Sequence, residues 1–225
     1  MDLIRQELVL KKLKKFKKTE FTKNLENLKI LIVGCGGVGS VISELIVRGG
    51  FKNLILIDSD VIDKTNLQRQ LFLKKDIGKF KVDCVKKRLL EINPKVIIEN
   101  ICDNFNEKNL LKEKEFDIII DATDNVETRK LINEVAKIRK IPWIYNGALK
   151  TECMSCLFSD YDLFEKFFRN FKTQNGCEIG VLASTTFVSA SICYNLLLQY
   201  LIENKKNELI KIQLFDYTIT KIKLN

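Results

Sequence analysis

The chain has 225 residues, 46% of them hydrophobic, which is enough for one α/β domain with a sizeable core. It carries 38 Lys and Arg against 29 Asp and Glu, a formal charge of +9, and no histidine. The missing imidazole excludes a Ser-His-Asp triad, a His-based zinc hydrolase and any histidine general base. The basic excess suits solvated surface or an anionic partner, and no nucleic-acid motif accompanies it.

Residues 1–18 intersperse apolar side chains with lysines and lack the continuous apolar stretch and cleavage site of a signal peptide. Leu3, Leu10, Leu13 and Phe16 suit one face of a short helix. Residues 28–33 read as a strand, followed by a glycine-rich turn and a helix to about Arg48. Residues 53–57 form a second strand, and helical periodicity over 79–92 stops at Asn93-Pro94. Residues 95–99, 116–120 and 142–145 read as the next three strands; the middle one is apolar almost throughout, as for a strand buried on both faces. A helix is expected over 125–140. This βαβ alternation predicts a Rossmann-like, mostly parallel sheet with helices on both faces.

After Gly147 the pattern changes. Residues 154–158 suit a strand, 161–171 a Phe-rich amphipathic helix, 184–203 a long helix, and 210–224 two short strands forming an antiparallel extension. The stretch 179–202 has no charge, but Ser184, Thr185, Thr186, Ser189, Ser191, Asn195 and Gln199 interrupt it, so a core helix is expected rather than a membrane span. Without repeats or low-complexity linkers, residues 1–225 read as one domain, with a nucleotide-binding half (1–147) and a C-terminal half (148–225). Seven scattered cysteines, an odd number, point to a reducing cytoplasmic setting rather than a disulfide framework.

The strongest local signal is Gly34-Cys35-Gly36-Gly37-Val38-Gly39, between a strand and a helix. Glycines let the backbone approach phosphates, and the helix N-terminus adds partial positive charge. Asp58 ends the next strand, where an acid commonly holds a ribose hydroxyl. That much means an adenine nucleotide or dinucleotide, NAD being the generic choice. Arg69 and Lys81 bring cations toward the expected phosphate site, which suits a triphosphate better. Asp124 follows the fourth strand and suits either Mg²⁺ ligation or the N-cap of the next helix.

Taken in order, the turn Gly34–Gly39, Asp58 and Asp60, Asn66-Leu67-Gln68-Arg69-Gln70, Lys81, and Thr123-Asp124-Asn125 resemble the E1-like activating enzymes. That family includes bacterial adenylyltransferases of molybdopterin and thiamine biosynthesis. The resemblance runs over about residues 5–220 and extends to Cys177-x-x-Gly180-Val181 and Phe215-Asp216-Tyr217. It implies an enzyme that binds ATP at Gly34, Gly36, Gly37 and Gly39, with Asp58 on the ribose. It also implies Asp60, Asn66, Arg69, Lys81 and Asn125 around the nucleotide, and Asp124 on Mg²⁺. A substrate carboxylate would attack the α-phosphate to give an acyl-adenylate and pyrophosphate.

The resemblance further implies a cytoplasmic homodimer in which Arg5, within Arg5-Gln6-Glu7-Leu8-Val9, reaches the γ-phosphate of the neighbouring subunit. Cys177 resembles a cysteine used by some relatives for covalent transfer, although its sequence neighbours offer no cation closer than Lys172. Cys153-x-x-Cys156 looks like half of a structural zinc site. Alignment through the preceding strand instead makes 152–158 a strand, the second cysteine pair is not found, and no structural zinc is expected. The implied substrate is either the C-terminal glycine of a ubiquitin-like or sulfur-carrier protein, or a small-molecule carboxylate such as a guanylylpyridinol cofactor precursor, with a thiol acceptor downstream. An NAD-dependent oxidoreductase and a non-catalytic nucleotide-binding scaffold are the alternatives.

Overall fold

The computed structural model describes residues 4–12, 16–106, 115–169 and 180–224. In chain order it contains α1 (Ile4–Leu10), α2 (Lys18–Asn27), β1 (Lys29–Val33), α3 (Gly37–Arg48), β2 (Asn53–Ile57), α4 (Lys81–Ile92), β3 (Ile97–Ile101) and β4 (Ile118–Asp121). There follow α5 (Val126–Arg139), β5 (Trp143–Leu149), β6 (Glu152–Phe158), α6 (Tyr161–Arg169), α7 (Ala183–Glu203), β7 (Glu208–Gln213) and β8 (Thr218–Lys223). Short 3₁₀ turns at Lys64–Asn66 and Lys74–Asp76 lie between β2 and α4.

All eight strands form one sheet, ordered β3-β2-β1-β4-β5-β6-β7-β8. The first five in that order are parallel, and β5 to β8 pair antiparallel. The expected Rossmann-like α/β fold with an antiparallel extension is the fold observed. Strand β5 runs through position 147, so both halves of the chain share it.

Alternation along the strands divides the core between the two faces. Ile30 and Ile32 of β1, with Ile118 and Ile120 of β4, pack among residues of α2, α3, α4 and α7. Leu31, Val33 and Ile119 pack on the opposite face with α5 and α6. There Trp143 stacks on Phe158 at 5.3 Å and meets Phe164 edge-on at 4.8 Å, and its indole N–H donates to Asn133 Oδ1 at 3.1 Å. The ring nitrogen is thereby satisfied inside the core.

Helix α7 is long and apolar enough to cross a membrane by length and composition. In this fold one face of it is buried, carrying Thr185, Thr186, Ser189, Ala190, Cys193, Leu196 and Leu197. Thr185 Oγ1 donates to the Lys150 carbonyl at 2.9 Å, and Thr186 Oγ1 to that of Ala183 at 2.8 Å. Two of the hydroxyls that interrupt the apolar run, those of Thr185 and Thr186, are thus hydrogen-bonded inside the protein. Helix α2 is an element sequence reading did not anticipate, and it buries Phe21 and Leu25 four residues apart on one face.

Candidate active site

Strand order reverses between β1 and β4, so the loops after these neighbouring parallel strands diverge and leave a crevice at their carboxyl ends. A cavity of about 440 Å³ opens there. Gly34, Gly36, Gly37, Asp58, Asp60, Asn66, Arg69, Lys81, Asp124 and Asn125 all line it.

Gly34 has a left-handed φ of +92°, and a Cβ there would lie 2.7 Å from the Ala122 carbonyl oxygen. Only glycine fits that turn. Gly39 is not among the residues that line the cavity. A Cβ on it would fall 1.9 Å from the Gly34 carbonyl oxygen, so it lets α3 pack directly on the turn. The N-terminus of α3 is thereby held at the cavity, where its unpaired N–H groups suit an anion.

Asp58 braces this turn. Its Oδ2 accepts the Cys35 N–H at 2.6 Å and its Oδ1 accepts the Asp60 N–H at 2.7 Å. Burial lifts its carboxyl above the usual carboxylate range, against those two donors and nearby Lys81. Lys81 begins α4 and is buried, with Nζ 2.6 Å from Asp60 Oδ2. Arg69 Nη1 donates to the Thr65 carbonyl at 3.0 Å, and Asn66 Oδ1 accepts the Asp63 N–H at 3.1 Å. Lys81, Arg69 and Asn66 are therefore brought to one cavity by three local structures: a helix start, a loop and a 3₁₀ turn.

The loop after β4 separates two roles left open for Asp124. The N-cap of α5 is Asn125, whose side chain accepts the Thr128 N–H at 3.0 Å. Asp124 stands just outside the helix and lines the cavity.

Behind these residues lies an ion pair that the sequence did not disclose. Arg129, one turn into α5, places Nε 2.9 Å from Oδ2 of fully buried Asp121. Its Nη2 donates to the carbonyls of Thr123, at 2.5 Å, and Asn146, at 3.0 Å. The guanidinium also lies 5.0 Å over the Tyr145 ring. Thr123 adds its N–H and hydroxyl to Asp121 Oδ1 at 2.9 and 2.6 Å. Burial opposes the charge on Arg129, yet Asp121 holds its pKa above the ordinary arginine value. Burial pushes the Asp121 carboxyl above the usual carboxylate range, against Arg129 and the two Thr123 donors that favour its charged form.

Residues 9–225 match the ThiF family. The chain belongs to that family. It is 35% identical over 160 residues to the molybdopterin-synthase adenylyltransferase of Haemophilus influenzae, covering 68% of this chain and 65% of that protein. It is 29% identical over 142 residues to the SAMP-activating enzyme E1 of Haloferax volcanii, covering 57% of this chain and 53% of the relative. The chain thus spans less than two thirds of the length of these relatives. Its fold matches Escherichia coli MccB, solved with ATP, with a TM-score of 0.76 at 24% identity over 92% of this chain and 67% of MccB.

Further expectations for this ThiF-family chain are settled unevenly by the fold. Residues 152–158 do form strand β6. Cys153 and Cys156, three apart on it, point to opposite faces and are both buried. Arg5 lies in the backbone of α1, with its side chain outside the described residues, and Cys177 lies outside them entirely. Sequence reasoning also missed Ser59, Asn104, Phe105, Thr128, Asn146 and Thr186 on the cavity wall. Ser59, Asn104 and Phe105 follow strands, which was the available signal, whereas Thr128 and Thr186 sit in helices and Asn146 within β5, and their neutral side chains gave none.

Proposed function

We propose that this chain binds ATP with Mg²⁺ in the β1/β4 crevice and adenylates a carboxylate. The observation that carries this reading is the gathering of two cations, Arg69 and Lys81, with Asp124 around one glycine turn. A dinucleotide's pyrophosphate is held by the turn and helix terminus alone, whereas a triphosphate calls for such cations. The ThiF-family relatives named adenylyltransferases and activating enzymes support the same reading.

In this mechanism a carboxylate oxygen attacks the α-phosphorus and forms an O–P bond. The bond to the bridging oxygen breaks, and pyrophosphate leaves with the electron pair. No proton is transferred, so the reaction needs positioning and charge neutralisation rather than a general base. The histidine-free sequence fits that demand. The α3 N-terminus, Lys81 and Arg69 draw negative charge from the phosphates, and Asp58 steadies the turn and faces the ribose. Asp124 fits Mg²⁺, because it is a carboxylate on the cavity wall. Bound Mg²⁺ would neutralise charge on the phosphate oxygens.

The substrate is the C-terminal carboxylate of a ubiquitin-like or sulfur-carrier protein, or a small-molecule carboxylate such as a guanylylpyridinol precursor, with a thiol acceptor afterwards. The assembly is a cytoplasmic homodimer. Thermal-shift measurement tests the nucleotide: ATP with Mg²⁺ should raise the melting temperature and NAD should not. Carboxylate-dependent exchange of labelled pyrophosphate into ATP tests the chemistry. Stabilisation by NAD alone would instead favour an oxidoreductase, and ATP binding without exchange a scaffold.

A further inference from the structure

Asn146, on β5, lines the cavity two strands away from the β1 turn. Its side-chain oxygen is fully used. Oδ1 accepts the hydroxyl of Ser155 on β6 at 2.8 Å and that of Ser189 on α7 at 2.5 Å. Asn146 is 2% exposed, and both serines are completely buried. Its backbone carbonyl is held by Arg129, so the strand fixes the side chain's origin. Nδ2, by contrast, is buried without any hydrogen-bond partner. Leaving a buried amide N–H unmade costs stability, and a ligand that completes it explains why such a group is kept.

Two cavity-lining residues carry a buried amide atom without a partner among the described residues, Asn146 at Nδ2 and Gln70 at Oε1. Only the first is a donor. Gln70 stands against the glycine turn, where a Cβ on Gly36 would meet its Nε2 at 3.5 Å. Asn146 stands on the other side of the crevice, with Ala148 and Val181. A nucleotide with its ribose at the end of β2 and its phosphates at the turn after β1 leaves the β5 side to whatever meets the α-phosphate.

We propose that Asn146 Nδ2 donates a hydrogen bond to the substrate carboxylate oxygen that does not attack, the one that becomes the carbonyl of the acyl-adenylate. This rests on the adenylation reading above. While one oxygen forms the bond to phosphorus and pyrophosphate departs, the other remains an acceptor throughout. A neutral donor orients the carboxylate without withdrawing charge from the attacking oxygen as a lysine would. A compound lacking an acceptor there leaves the amide unpaired, so Asn146 also selects for a carboxylate.

The test uses adenosine 5′-sulfamate and its N-acetylglycyl derivative, a stable acyl-adenylate mimic, titrated calorimetrically into the whole chain. The quantity read is the ratio of the two dissociation constants, which isolates the acyl group. The wild type should prefer the acylated compound, and Asn146→Ala and Asn146→Asp should each lose about tenfold of that preference. Affinity for the unacylated compound should change less. Asn146→Asp retains an acceptor for both serine hydroxyls, so it decides alone if Asn146→Ala does not fold. An unchanged ratio in folded variants would overturn the Asn146 assignment while leaving adenylation standing. A wild type that binds ATP but shows no preference for the acyl group would overturn the adenylation reading, and this assignment with it.

Discussion

Lys81 is bound twice to Asp60: its Nζ lies 2.6 Å from Oδ2, and its backbone N–H donates to the Asp60 carbonyl at 3.0 Å. The lysine side chain is only 8% exposed, while the carboxylate is 64% exposed. The cation is therefore fixed, and its partner remains open to solvent and to exchange for a phosphate oxygen.

Replacing Lys81 by alanine should weaken ATP binding and lower pyrophosphate exchange by on the order of a hundredfold. The melting temperature without nucleotide controls for folding. If ATP affinity and exchange are both unchanged, Lys81 is not in the phosphate site.

Neighbouring residues in the loop after β4 should separate stability from chemistry. Asn125→Ala removes the α5 cap and should cost about 1 kcal/mol, lowering the melting temperature by roughly 2–4 °C. Asp124→Asn should keep the fold and reduce Mg²⁺-dependent exchange by on the order of a hundredfold. Equal exchange rates in Asp124→Asn and wild type would remove Asp124 from metal binding.

Asp121→Asn leaves the mostly buried Arg129 guanidinium without its counter-ion. Urea denaturation should show a loss of about 3–5 kcal/mol. Pairing it with Arg129→Met should restore part of that loss, since two neutral groups avoid the buried charge. A single variant as stable as the wild type would show that the pair does not hold the loop.

Burial pushes the Cys153 thiol up to about 11, with Glu152 adding to the effect, and raises Cys35, Cys156 and Cys193 as well. At pH 8 iodoacetamide should therefore modify exposed Cys102 well before these four, as read by peptide mass mapping. Because pH 8 to 10 lies below its pKa, Cys153 should gain about tenfold in rate per pH unit. Since Cys153 and Cys156 occupy opposite faces of β6, elemental analysis should find no stoichiometric zinc.

The proposed homodimer, with Arg5 reaching the γ-phosphate of the neighbouring subunit as the family resemblance implies, makes a sharper demand. Arg5→Ala and Lys81→Ala homodimers should each be poorly active, and subunit exchange between them should restore one intact site per heterodimer. Failure to recover activity after exchange verified by mass spectrometry would remove Arg5 from the neighbouring site.

How much of this was legible in sequence depended on the kind of signal. The glycine turn, Asp58 and Lys81 were readable because backbone geometry and strand spacing constrain which residues can stand there. Strand edges were less so: β5 continues to Leu149 rather than stopping at Tyr145, because pairing with β6 extends it. Asp124 and Asn125 both suit an N-cap by type, and only the helix register chose between them. Arg129 was silent because an arginine in a helix ordinarily faces water, and its burial depends on Asp121, eight residues earlier on another element. Asn146 was silent for a similar reason, since its serine partners come from β6 and α7.

The crossing of Arg129 from the end of β4 to the middle of β5 has a consequence for ligand entry. One guanidinium holds Asp121, the Thr123 carbonyl and the Asn146 carbonyl together. In the adenylation reading proposed above, the wall that would meet the α-phosphate is therefore held by the chain's own hydrogen bonds. A ligand reaching it meets groups already hydrogen-bonded to one another, so association should lose little conformational entropy there. Loosening that wall by Arg129→Lys should slow the chemical step more than it weakens nucleotide capture, because reaction geometry tolerates displacement less than binding does.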